Sequence, residues 1–539
     1  MKSRWVLGVL VVGAVFLGTP SAASACGGFF CQSAPVLQTA EEILYVVDDD
    51  GALTMSVRIV YSGTAEEFAW ILPVPSVPML SLGTAASFDG IGAATAPSFT
   101  LSTRTEGVCA SEPRCEFLPP PDVGPLADAG RASDAAAADA GPRPGVLIEG
   151  ELGPFETVVI GDASATEIHG WLNTNGYAIP VESVAILDDY VTSGSLFVAL
   201  RLRPNTTTDA IQPITLRWDT PTEPCLPIRL TAIATAAQLP IITYFLASTR
   251  ATPRNYSLIE NFDDVSLYFG GNSPFVYRAW AAGEIDGLGG HAFVADFAGE
   301  TPSLALGLPD IEDLRDASPR EMLQQLLARG YESDPQVASI RARYLAIPAD
   351  TNQTNYEACL REGGPCPEPA AYDPSGLVDA LNAMVRTPRM TAQGWLDTHA
   401  YTTRLYTELS APEMTLDPEF VLDDGLGDQR RDHAAVWVTE CSSEYYLEDA
   451  PIRIDFDSGH SEPFSVGTRA NPSTYCSRRG GYPEGMLPDG GVPTSMMMEP
   501  SGGGGCTAAR RGGMRGGMPV LGLASLLALA LLGRARRVR

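Results

Sequence analysis

Ten cysteines constrain this chain more than any other feature, because each bridge that closes ties two points of the backbone together. Six fall in close couples: Cys26 with Cys31, Cys109 with Cys115, and Cys359 with Cys366. Each couple can close a short loop, and Cys441 with Cys476 can close a longer one. Cys225 and Cys506 are left over. No couple has a second Cys-x-x-Cys or a paired histidine at zinc spacing, so the eight paired cysteines read as disulfides rather than metal ligands. Disulfides belong to an oxidising compartment, which predicts an exported protein.

Both ends of the chain agree with export. Lys2 and Arg4 precede an apolar run over 5–17, followed by Ala23, Ser24 and Ala25. That is the anatomy of a signal peptide, 1–25, cut between Ala25 and Cys26. Lipidation of Cys26 is the competing reading, but Ala23 stands where lipoprotein signals usually carry a leucine-like residue. At the other end come four glycines at 502–505, then Cys506, a short apolar run over 518–532 and four closing arginines. The apolar run is short for a membrane span, and the arginines would keep that end in the cytoplasm. The ordered set of spacer, lone cysteine, apolar helix and arginine cluster resembles the MYXO-CTERM sorting signal, although 507–517 is longer than usual. The resemblance implies a processing protease, with Cys506 as the anchoring residue at the cell surface and 506–539 as the sorting segment.

Charge narrows the partners. The chain carries a formal net charge of -29, and Lys2 is its only lysine. Removing 1–25 and 507–539 takes away nine cations and no acids, leaving a body of net charge -38. Such a body is no nucleic-acid binder, and without a lysine it has no Schiff-base or P-loop lysine chemistry.

Periodicity predicts an α+β fold. Leu53, Met55, Val57, Ile59 and Tyr61 alternate with polar residues as in a half-buried strand, and Asp50-Gly51 separates this run from a strand over 42–47. Further strands are expected over 157–160, 195–202, 214–218, 227–232 and 241–247. Ser164 and Glu167 form a capping box that opens a helix, with Gly176 as its stop. Between the strands, 119–145 is almost wholly Pro, Ala, Asp and Gly, a composition that predicts a disordered insertion in one β-rich domain, 26–310. Helix starts at Ser318-Pro319, Asp334-Pro335 and Asp373-Pro374, with an apolar-periodic run over 395–409, predict a mainly helical domain over 311–440. A short strand segment over 441–476 and a flexible stalk over 477–505 complete the chain.

The body, over 26 to about 440, resembles the bacterial domain of unknown function 2330 family. The resemblance is carried by Cys26-Gly27-Gly28-Phe29-Phe30-Cys31 and by 68–75, reading FAWILPVP. It is carried also by 197–201 with Ile211-Gln212-Pro213, and by 405–414 with Asp417-Pro418. It implies a secreted or surface-anchored protein and transfers no catalytic residue.

No catalytic or cofactor motif emerges. His169, His291, His399, His433 and His460 have no metal-binding spacing, and no Gly-x-Ser-x-Gly elbow is present. Two acidic loops are candidates for calcium: Asp417, Glu419, Asp423, Asp424 and Asp428, and Asp455, Asp457 and Glu462 around Gly459. Neither has EF-hand spacing, and solvated acidic loops are the preferred reading. Trp70, Pro73, Pro75 and Pro78 are the candidate recognition residues, since prolines and aromatics make stiff apolar edges. The expectation is a non-catalytic, membrane-anchored protein that binds an envelope or surface partner or supports envelope structure. The alternative is a secreted hydrolase acting on peptide or glycan through carboxylates that the fold assembles.

Overall fold

A computed structural model describes residues 37–483, apart from 63–68, 118–145, 176, 178, 204–210, 234, 236–237, 363–364 and 480. The signal segment with its cut between Ala25 and Cys26, the Cys26 and Cys31 couple, the 119–145 insertion, Gly176, most of the 477–505 stalk and the 506–539 anchor therefore lie outside the described residues. Among the described residues, no helix is long and apolar enough to cross a membrane.

The fold is α+β, with strands in several sheets and its helices concentrated in the C-terminal half. It starts from the expected hairpin, Leu37–Val47 against Leu53–Ser62. Gly51 turns the chain at φ +84, and the Asp50 carboxylate accepts a bond of 3.0 Å from the Ala52 N–H. The second strand is not half-buried as its alternation predicts. Thr54 and Ser56 are as enclosed as Leu53 and Met55, because Thr54 accepts from Arg217 at 3.1 Å and Ser56 bonds Thr215 at 3.0 Å. Hydrogen-bonded polar side chains are thus buried on the face that alternation assigns to water.

Eight strands make the main sheet, in the order Ser257–Ile259, Ala292–Glu300, Tyr401–Leu409, Leu239–Ala247, Leu37–Val47, Leu53–Ser62, Ile214–Trp218 and Met79–Leu82. Two expectations fail here. The helical run expected over 395–409 stops at Thr398, and Tyr401–Leu409 is a central strand, paired on one side from Leu409↔Leu239 to Tyr401↔Ala247. Its Thr402, Thr403 and Thr407 are β-branched and suit a pleated surface better than a helix. Conversely, the strand expected over 227–232 is a tight turn, with the Ala232 N–H bonded to the Ile228 carbonyl and a 3₁₀ turn at Thr231–Ile233.

A second sheet has the order Ala69–Val74, Leu196–Leu202, Phe155–Ile160 and Val146–Leu152. Its two-residue period divides the side chains. Trp70, Leu72 and Val74 face the main core, while Ile71, Phe197 and Ala199 pack on Ile168, Trp171, Leu172 and Leu187 of two covering helices. The first of these, Ala165–Thr174, opens with the predicted Ser164/Glu167 capping box. Further on, Ile311, Met322, Leu326, Ile340, Leu377 and Leu381 form a separate helical core. Ser318 and Asp373 cap its helices as expected.

The disulfides correct the sequence reading. Cys359–Cys366 is present, but Cys109 pairs with Cys441 and Cys115 with Cys476. The reason is topological. Ser98–Glu106 runs parallel to Asp432–Glu440, with Glu106 opposite Glu440, so both strands deliver their following cysteines to one place. Gly107, at φ +80, allows that approach; a Cβ there would sit 2.3 Å from the Cys441 carbonyl oxygen. The start of the expected stalk is also structured, since Gly481–Pro483 pairs antiparallel with Cys115–Phe117. The sheet of residues 432–465 thus shares the strand Ser98–Glu106 with the β-rich half.

Candidate functional site

A groove of about 520 Å3 opens between the two sheets. Leu53, Met55 and Trp218 come from the main sheet, Pro73 to Ser76 from the second sheet, and the loop around Cys225 closes one side. The local sequence explains this geometry. Ala69–Val74 is an outermost strand, where Pro73 can lack a donor, and Pro75 ends it. The Trp218 indole N–H then donates to the Ser76 carbonyl at 3.0 Å and fixes the turn against the main sheet.

Asp417 closes the far end. Its carboxylate accepts the Tyr190 hydroxyl at 2.7 Å and the Arg229 main-chain N–H at 3.1 Å. The Arg229 guanidinium pairs instead with Asp189, and its Cζ lies 5.6 Å from the Tyr190 ring centre. Burial raises the pKa of Asp417 above the usual carboxylate range, against the Tyr190 and main-chain hydrogen bonds and the nearby Arg229 charge. The Cys225 thiol lies on the groove wall, reached by solvent yet enclosed by protein on most sides. Burial, then Asp417 and Glu419, push it up to about 12, so it stays a neutral thiol. Its carbonyl accepts the Tyr45 hydroxyl at 2.9 Å.

The expected recognition residues divide. Pro73 and Pro75 line the groove. Trp70 is only 4 % exposed in the main core, and Pro78 is buried outside the groove lining, so neither meets a ligand there. Cys225 was legible as the leftover cysteine, but nothing local marks Tyr190, Trp218 and Asp417 as its neighbours, because they come from distant segments.

The acidic loops do not gather as calcium reading requires. Asp417 faces the groove, Glu419 pairs with Arg254 at 3.2 Å, and Asp428 accepts from Tyr401 at 2.6 Å. Asp455 is held by Arg453 at 2.9 Å and Arg104 at 3.1 Å. Among the described residues, no three His, Cys, Asp or Glu side chains converge as metal ligands. The histidines are also dispersed. His433 packs between Phe99 and Phe262, at 5.3 and 4.2 Å, and burial lowers its pKa.

Two other places bear on chemistry. A polar pocket of about 480 Å3 is lined by Glu151, Glu156, Asn175, Tyr177 and Arg201, but Arg201 is engaged by Glu156 at 2.5 Å and by the Asn175 carbonyl at 3.2 Å. The carboxylates of Asp286 and Glu413 interact: Asp286 is raised by burial and then by Glu413, whereas Glu413 is lowered, against its burial, by hydrogen bonds from Ser410. Glu413 completes a capping box with Ser410, and Asp286 sits at a helix end with its side chain largely open to solvent and its carboxylate only partly desolvated, so this pair lacks the deep cleft that acid–base hydrolysis needs.

A family profile described as an uncharacterized protein conserved in bacteria, DUF2330, matches residues 20–306. The chain belongs to the DUF2330 family. The match contains both walls of the groove but stops short of Asp417 and of the helical core, so membership is shown only to 306 rather than to about 440. No curated protein matches this DUF2330 chain. Among solved structures it is similar to a mutated baculovirus p35 after caspase cleavage, at 5% identity over 39% of this chain and 68% of that one, with a TM-score of 0.19.

Proposed function

We propose that this DUF2330 protein is an exported, non-catalytic binding protein, anchored at the cell surface near Cys506, and that the groove between its two sheets holds the ligand. The signal-like 1–25 segment and the MYXO-CTERM-like tail support the location, and the long-range disulfides suit an oxidising compartment. The observation that carries binding is the groove itself: a preformed concavity with apolar walls and a few fixed polar groups. Its chemistry suits holding rather than cutting. The thiol is held neutral, and Asp417 is already engaged by Tyr190 and the Arg229 N–H.

Two measurements test the reading. Cys506→Ala should abolish surface display and tail processing; unchanged display and processing would refute the anchor. Full-length protein carrying a bulky maleimide on Cys225 should lose the retention on envelope fractions shown by unmodified protein. Equal retention would remove the groove as the binding site.

A further inference from the structure

The groove is apolar along its walls and one-signed in charge. Its lining includes two carboxylates, Asp417 and Glu223, and no cationic side chain. Glu223 is matched by Arg254 at 2.9 Å, outside the groove lining. Asp417 is not matched in this way, since its hydrogen bonds come from a hydroxyl and main-chain N–H groups, while the nearest guanidinium pairs with Asp189. Burial first, and then the charge of Asp417 among others, oppose the ionisation of Tyr45, Tyr190, Cys225 and Tyr256, which places these groups within reach of its field. A carboxylate partly removed from water beside apolar walls favours a cation brought in by the ligand.

The wall beside it specifies shape. Ala69–Val74 is the outermost strand of its sheet and runs into the groove at Pro73 to Ser76. Pro73 and Pro75 bring no N–H to this edge and the Ser76 carbonyl already accepts from Trp218, so the wall does not pair as a strand; it presents a stiff, straight apolar edge along which an extended chain can lie.

We propose that the groove receives an extended peptide bearing an arginine or lysine next to an apolar residue, with the cation reaching Asp417 and the apolar side chain seated against the accessible lining prolines Pro75, Pro221 and Pro227. The inference rests on the binding reading above and adds the ligand class. Anionic and strongly acidic peptides are repelled at the same place, which also keeps this acidic chain from binding its own carboxylate-rich loops.

The test is calorimetric titration of the full chain with two blocked peptides, Ac-Leu-Pro-Arg-Leu-NH2 and Ac-Leu-Pro-Gln-Leu-NH2. The arginine peptide should bind about tenfold tighter, as a charge-assisted hydrogen bond allows. Asp417→Asn should bring the two affinities together, and added salt should weaken only the arginine peptide, which keeps the test decisive if the variant folds poorly. Equal affinities for wild-type protein, no binding of either peptide, or a preference that survives both Asp417→Asn and salt would overturn the proposal. A bulky Cys225 adduct separates the two readings: if peptides still bind to the blocked protein, the groove is not the site, whereas equal affinities that the adduct abolishes would overturn only the cationic class.

Discussion

Asp296 and Asp417 each accept a hydrogen bond from a tyrosine hydroxyl, Tyr277 for the first and Tyr190 for the second, yet their surroundings differ. Asp296 is 0 % exposed and meets the Arg404 Nε at 2.9 Å. Arg404 in turn donates to the Gly92 carbonyl at 3.0 Å, and its Cζ stands 5.7 Å from the Tyr244 ring centre. This is a closed network inside the scaffold, tying the strands Ala292–Glu300 and Tyr401–Leu409 to the helix Ala85–Thr95. Asp417 has the tyrosine but not the arginine, and it faces an open groove. A buried charge in direct contact with its counter-ion is architecture; a partly buried charge whose neighbouring cation, Arg229, is paired with Asp189 instead favours a cation from a ligand.

The difference can be broken most forcefully at Arg404. Arg404→Met leaves Asp296 buried and unpaired, with an expected loss of about 3–5 kcal/mol in urea unfolding at pH 7. Adding Asp296→Leu should restore most of that loss. A single variant as stable as wild type would show that the network is not structural.

A slightly smaller effect lies in pH. Burial, offset by Arg404 and Tyr277, pushes Asp296 up to about 6. The folded state then holds this proton more tightly than the unfolded chain does, so stability falls as pH rises from about 4 to about 6, by about 3 kcal/mol for a shift of about two units. Asp296→Asn should flatten that part of the stability–pH curve. His433 acts in the opposite sense, since its lowered pKa costs stability as pH falls below its ordinary range. Unfolding curves of wild type and Asp296→Asn across pH 4 to 7, about the span between the two ordinary pKa values, separate the contributions.

The tyrosines sharpen the contrast. Tyr277→Phe removes a donor that nothing replaces in a closed core, at about 1.5–3 kcal/mol, whereas water can enter the groove beside Asp417, so Tyr190→Phe should cost about 1 kcal/mol or less. Melting temperatures of the two variants give the order directly. Least of all, Asp417→Asn should change stability by under about 1 kcal/mol while altering ligand preference, because its charge has no direct guanidinium partner to strand.

Local chemistry was legible in the sequence. Ser164 with Glu167, Ser318, Asp373 and Asp50-Gly51 work within four residues of themselves, and each builds the cap or turn expected of it. Pairing across the chain was not legible. Cys109 finds Cys441 only because two strands more than 300 residues apart run in parallel, and nothing in the spacing of Cys109 and Cys115 carries that fact. The same limit hid the groove. Pro73 and Pro75 were marked by composition, but Asp417 stood among acids that suggested calcium, and Trp70 drew attention as an aromatic although the two-residue period turns it into the core. Tyr401–Leu409 was misread because its threonines signal strand only weakly against an apolar run that also fits a helix.

The central claim, that the groove is a binding site occupied at the cell surface, is tested most directly by the alkylation rate of Cys225. The rate is compared between full-length protein in intact cells and the same protein purified and washed at high salt. Occupancy predicts a rate several-fold slower in cells, recovering on the salt wash. Equal rates in the two settings would contradict the account.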